Sequence, residues 1–152
     1  MSSIHTPVML QEVLDAWVSN PDGLYLDATF GRGGHSMALL QRLSPKGRLI
    51  VLDRDDDAFK AAEALASKDA RVKAYHLPFS ELLSVLPEKH CVDGILFDLG
   101  VSSAQLDQAE RGFSFQKDGP LDMRMDRRQT LSASEWLAQV EEKKLAEVLR
   151  LL

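Results

Sequence analysis

The chain has 152 residues, 45% of them hydrophobic, and a formal net charge of -5. That size suits one compact domain with a real core. The acidic balance argues against a whole-surface nucleic-acid binder while leaving local basic patches open. No run of about 18 apolar residues is present, and the N-terminus lacks the basic and apolar regions of a signal peptide, so a cytoplasmic location without membrane contact is expected. The single cysteine, Cys91, cannot close an internal disulfide and has no Cys or His at metal-ligand spacing; it reads as a bland residue at a strand start, with no metal expected.

Residues 7–18 place Val8, Met9, Val13, Leu14, Trp17 and Val18 near one helical face, with Thr6 and Pro7 suited to the cap and first turn. Asn20-Pro21-Asp22-Gly23 then turns the chain into a first strand, Leu24-Tyr25-Leu26, which stops at Asp27. The loop Thr29-Phe30-Gly31-Arg32-Gly33-Gly34 permits a sharp backbone turn, and Met37, Leu39 and Leu40 begin a helix. Such a strand, glycine loop and helix aims backbone N–H groups at a ligand. The loop is similar to the dinucleotide fingerprint, but Ser36 stands where the third glycine should fall. A carboxylate at Asp27 would repel a pyrophosphate and attract a cation, so S-adenosylmethionine, with its sulfonium, ammonium and carboxylate groups, fits better than NAD.

Arg48–Asp53 reads as a second strand ending in an acid some twenty residues past the loop, where an acid meets the ribose hydroxyls of a bound nucleotide. Spacing alone equally allows a solvated acid or helix cap among Asp53, Asp55, Asp56 and Asp57. A helix over 57–66 and a weaker strand over 71–76 follow. They lead to Phe79, which suits either stacking on an adenine or a core position under a loop. After a short helix over 80–86, Val92–Gly100 is a fourth strand containing Asp98. Strands alternating with helices imply a parallel sheet, and Asp27, Asp53 and Asp98 then collect beyond its carboxyl edge, where such sheets bind ligands.

From Val101 periodicity is lost. Between Arg111 and Arg128, five basic residues (Arg111, Lys117, Arg124, Arg127, Arg128) face three acids (Asp118, Asp122, Asp126), a local charge of +2. With Phe113 and Phe115 interleaved, this suits either a single-stranded nucleic-acid contact or a solvated loop whose charges pair with one another. Ser132-Ala133-Ser134-Glu135 fits a capping box, and 141–152 reads as a further helix with Leu145, Val148, Leu149 and Leu152 on one side.

Several stretches together resemble one family: His5-Thr-Pro-Val8, Asp27-Ala-Thr-Phe-Gly-Arg-Gly-Gly-His35, Asp53-Arg-Asp55, Asp93-Gly-Ile-Leu-Phe-Asp-Leu-Gly-Val-Ser-Ser103, Gln105-Leu106, Arg111-Gly-Phe-Ser-Phe115 and Pro120-Leu-Asp-Met-Arg-Met-Asp126. They are similar to the bacterial ribosomal RNA small-subunit methyltransferase H (MraW-like) family, whose members use S-adenosylmethionine to methylate the N4 amino group of a cytosine in the decoding centre of 16S rRNA. The resemblance implies cofactor contacts at Gly33, Gly34, His35, Asp53, Phe79, Asp98 and Gln105; from its place at the end of strand four, Asp98 is also the candidate catalytic residue that holds the cytosine amino group, with Asp-Leu-Gly-Val standing where many amino-methylating enzymes carry Asn/Asp-Pro-Pro-aromatic. The resemblance also implies an α/β, Rossmann-like class I methyltransferase fold. Here that would be a partial parallel sheet of about four strands over residues 1–100, followed over 101–152 by the beginning of a helical substrate-recognition insertion.

Members of the family run to about twice this length, with a sheet of about seven strands. The expectation is therefore a truncated form with an exposed edge at strand four, prone to self-association. Pro78, where the family tends to carry a polar residue, is a smaller departure. The competing readings are a non-catalytic cofactor- or RNA-binding fragment and an NAD-linked enzyme.

Overall fold

Four short strands form one parallel sheet in the computed structural model: β1 (Leu24–Asp27), β2 (Arg48–Leu52), β3 (Val72–Tyr75) and β4 (Gly94–Leu96), in the order β3-β2-β1-β4. The structure describes residues 7–86 and 92–151; Thr6, the His5-Thr6 part of the first motif and Cys91 lie outside them. Two compact units result, Met1–Leu99 and Gly100–Leu152. No described helix is long and apolar enough to cross a membrane.

The first unit is built on β1 and β2, whose consecutive apolar residues are buried because both sheet faces are covered. Tyr25, Leu49 and Val51 face a cluster that includes Leu14 and Trp17 of α1 (Leu10–Trp17) and Leu39 and Leu40 of α2 (Gly34–Arg42). Leu26, Ile50 and Leu52 face a second cluster flanked by Leu77, Leu82 and Val85. Each fully buried side chain of this size stabilises by about 1.5–3 kcal/mol. The Tyr25 hydroxyl accepts from the Ser19 and Asn20 N–H groups and donates to the Asn20 carbonyl, pinning the turn that feeds β1. The helix α3 (Asp56–Ala66) is capped by Asp55, whose carboxylate accepts from the Asp57 and Ala58 N–H groups.

Three expectations are corrected. The first helix starts at Leu10, after Met9 in a left-handed conformation (φ 50°), so Val8 and Met9 lie outside it and are exposed. Met37 also faces solvent, and His35 and Ser36 take the buried positions of α2's first turn. The fourth strand is three residues long rather than nine. It pairs with β1 alone and ends the sheet among the described residues, with Ile95 39% and Phe97 44% exposed.

The second unit holds α4 (Ser103–Asp107), α5 (Ala133–Gln139) and α6 (Glu142–Leu151). Both α4 and α5 open on capping boxes, Ser102 with Gln105 and Ser132 with Glu135. The irregular chain between them is stitched by its own groups. Arg111 is buried and donates to the Arg124 and Met125 carbonyls, Arg124 pairs with Asp122 at 2.6 Å, Arg128 pairs with Asp126 at 2.8 Å, and Lys117 donates to the Asp107 carbonyl.

Candidate functional site

The chain runs from β1 outward to β2 and β3, then returns to β4 on the other side of β1. The strand order therefore reverses between β1 and β4, and it is beyond the carboxyl ends of the strands at such a point that parallel sheets take ligands.

At the floor of this edge is Asp27, 1% exposed, whose carboxylate accepts from the Thr29 N–H at 3.1 Å and from the Ser36 hydroxyl at 2.6 Å. Burial pushes its pKa up to about 6, against the lowering effect of those two hydrogen bonds. This corrects the expectation that Asp27 presents a charge to an approaching phosphate or cation: the carboxylate is walled in and committed to Ser36. Ser36 is the residue that stands at the fingerprint's third glycine, and its hydroxyl, fully buried, ties α2 to the end of β1. The sequence shows the absent glycine but carries no local signal for the partner nine residues away.

Above Asp27 the glycine loop turns through two left-handed residues, Gly31 (φ 56°) and Gly33 (φ 75°), the latter the N-cap of α2. A Cβ on Gly33 would lie 2.5 Å from the Phe30 ring, whereas one on Gly31 would meet only the Thr29 carbonyl at 3.9 Å. The Gly31 N–H donates to Asp53 at 2.8 Å, and the other Asp53 oxygen accepts from the Asp55 N–H at 2.9 Å. Asp53 thus braces the loop, and burial raises its pKa ahead of these opposing hydrogen bonds. The Gly34, His35 and Ser36 N–H groups are the first-turn donors of α2, which have no intrahelical acceptor.

Asp98 follows β4 with an exposed carboxylate, and its N–H donates to the Thr29 hydroxyl at 2.7 Å. His35 Nδ1 lies 3.9 Å from Asp98 Oδ2, while its Nε2 is 3.0 Å from the Val8 carbonyl. A carbonyl only accepts, so Nε2 donates to Val8, and Nδ1 is the ring nitrogen turned toward Asp98. Phe79 is 42% exposed and packs edge-to-face on Phe97 at 5.7 Å, so it is neither a core residue nor fully free. Gly33, Gly34, His35, Asp53, Phe79 and Asp98 all belong to the first unit, and those on the glycine loop and after β2 and β4 stand at one sheet edge. Gln105 belongs to the second unit, buried, where its Oε1 accepts from the Ser102 N–H at 2.8 Å in the capping box.

Comparison with known proteins bears on this arrangement. The chain is 57% identical over 149 residues to the ribosomal RNA small subunit methyltransferase H of Pseudoalteromonas atlantica, covering 96% of this chain and 48% of that one. It is 52% identical over 151 residues to the protein of the same name from Nitrosococcus oceani, covering 97% and 48%. The chain therefore spans about half the length of the curated relatives it matches. Its fold is similar to the C-terminal domain of precorrin-6Y C5,15-methyltransferase from Rhodobacter capsulatus, with a TM-score of 0.53, 20% identity, and coverage of 72% of this chain and 58% of that one. The sheet thus has the α/β, Rossmann-like fold that this methyltransferase domain also has. The model of the MraW methylase family matches residues 2–152, and the chain belongs to that family.

Proposed function

We propose that this chain forms the cofactor-binding half of an S-adenosylmethionine-dependent methyltransferase that acts on the N4 amino group of a cytosine in the decoding centre of 16S rRNA. The observation that carries the reading is the pair of acids after β2 and β4, Asp53 and Asp98, set on either side of the glycine loop at the point where the strand order reverses. The names of the relatives support an rRNA substrate.

The residues suit an adenosyl amino acid. The space beside Gly31 takes a close backbone approach, the first turn of α2 offers N–H groups to a carboxylate, Asp53 retains lone pairs for ribose hydroxyls, and Phe79 offers a half-exposed ring to an adenine. Bound there, S-adenosylmethionine supplies an electrophilic methyl on a positive sulfonium. The protein's task is to hold an amino nitrogen about 3 Å from that methyl carbon. The exposed Asp98 carboxylate accepts a hydrogen bond from the cytosine amino group and so turns the nitrogen lone pair toward the methyl. Gln105 is assigned to the cofactor by resemblance, and residues 101–152 to the start of the substrate-recognition insertion.

The charges between Arg111 and Arg128 that are described pair largely among themselves, so Phe115, whose side chain is fully exposed, is the better candidate there for an RNA contact. A ribosomal substrate places the protein in the cytoplasm. Self-association through β4 is a second proposal, favoured by the exposure of Ile95 on an end strand.

Titration with S-adenosylmethionine and with NAD tests the cofactor assignment, and binding of NAD alone would overturn it. Methyl transfer to small ribosomal subunits then separates an enzyme from a non-catalytic binding module.

A further inference from the structure

We infer that Thr29 is a positioning residue whose hydroxyl sets where Asp98 stands. The inference rests on the assignment of Asp98 to the reaction site. The ladder between β1 and β4 ends with the Ala28 N–H donating to the Leu96 carbonyl at 2.9 Å. The next inward-facing donor on that side, the Asp98 N–H, is met by a side chain: Thr29 Oγ1 at 2.7 Å.

Thr29 is itself fixed. Its N–H donates to Asp27 Oδ1 at 3.1 Å, and Asp27 is buried and held through its other oxygen by Ser36 on α2. One hydroxyl therefore links the main chain of Asp98 to a buried carboxylate anchored on two elements. The Asp98 side chain has little else to locate it, being more than half exposed with His35 Nδ1 at 3.9 Å. Where its carboxylate points is set mainly by its backbone, and the backbone is held by Thr29. A side-chain rung thus replaces a backbone one where the pairing of β4 with β1 ends.

Thr29→Val keeps the branched shape and removes the acceptor, while Thr29→Ser keeps the acceptor. Amide hydrogen exchange at Asp98 and S-adenosylmethionine affinity, measured on the same samples, test the inference. The expected result is that Thr29→Val speeds exchange at the Asp98 amide and weakens affinity by about tenfold each, the effect of one hydrogen bond of ordinary net strength. Thr29→Ser restores both to within about threefold, with thermal melting of the Trp17 core unchanged. A Thr29→Val protein that protects the Asp98 amide and binds S-adenosylmethionine like wild type overturns the inference, as does a Thr29→Ser protein as impaired as Thr29→Val. Should Thr29→Val fail to fold, an unprotected Asp98 amide in the wild-type chain overturns it alone. An Asp98→Ala protein that binds the cofactor and transfers methyl normally would instead remove Asp98 from the site, a separate failure of the functional reading.

Discussion

Replacing Asp27 by Asn should raise the stability of the chain at neutral pH. In the folded chain burial moves the Asp27 pKa from 3.8 to about 6, so the folded state holds the proton more tightly than the unfolded one. The resulting contribution is fully present below pH 3.8 and is lost as pH rises through about 6, a penalty of about 3 kcal/mol for the ionised form at about 1.4 kcal/mol per pKa unit. Asn avoids the charge and still satisfies both neighbours: its Oδ1 accepts from the Thr29 N–H, and its amide donates to the Ser36 hydroxyl, which rotates to accept. Asp15, Asp69, Asp122 and Glu135 shift the opposite way, each lowered first by a side-chain hydrogen bond, from Arg42, Arg71, Arg124 and Ser132 respectively. They lose stability as pH falls and are common to both proteins, so the difference between the two isolates Asp27. Urea unfolding followed by the fluorescence of the buried Trp17, at pH values from 4 to 7.5, should show near-equal stability at pH 4 and Asp27→Asn ahead by about 1–3 kcal/mol at pH 7.5. A variant that loses ground to wild type as pH rises would refute the reasoning.

The two left-handed glycines of the loop after β1 should separate by what they damage. Gly33→Val drives a side chain into the Phe30 ring and should lower the melting temperature of the free chain, seen by circular dichroism. Gly31→Ala meets no such obstacle, so it should cost about 1–2 kcal/mol of stability through its φ while weakening S-adenosylmethionine binding in calorimetry. Asp53→Ala should weaken that binding by about 1–3 kcal/mol, because it removes both a ribose acceptor and the brace on the Gly31 N–H; an unchanged dissociation constant would take Asp53 out of the site. Light scattering should reveal concentration-dependent association through β4, relieved by Ile95→Lys; a monomer at all concentrations would reject that interface.

The unit from β1 through β2 was legible because its signals are local: a continuous apolar run, a glycine loop, then a helix. Asp53 could be placed by its distance along the chain from that loop. The capping box at Ser132 and Glu135 was equally legible, since a pattern of four consecutive residues suffices to define it. What the sequence concealed depends on partners far along the chain. The apolar run Ile95–Phe97 reads as the heart of a longer strand, yet pairing stops at Leu96 and the next donor goes to a hydroxyl sixty-nine residues earlier. Asp27 reads as an exposed charge because nothing nearby in sequence declares that both neighbouring strands and Ser36 will enclose it. Phe79 and Phe97 meet ring to ring across eighteen residues, a contact that no periodicity encodes. Between Arg111 and Arg128 composition left two readings open, and the side-chain pairing favours the one in which the charges satisfy each other.

A cofactor site at the carboxyl edge of β1, β2 and β4 should reveal itself when S-adenosylhomocysteine is added to nitrogen-15-labelled protein and the backbone amide resonances are followed. Saturable shifts concentrated at Gly31, Gly33, Gly34, Asp53, Phe79 and Asp98 are predicted; shifts centred elsewhere, or none at millimolar ligand, would contradict it.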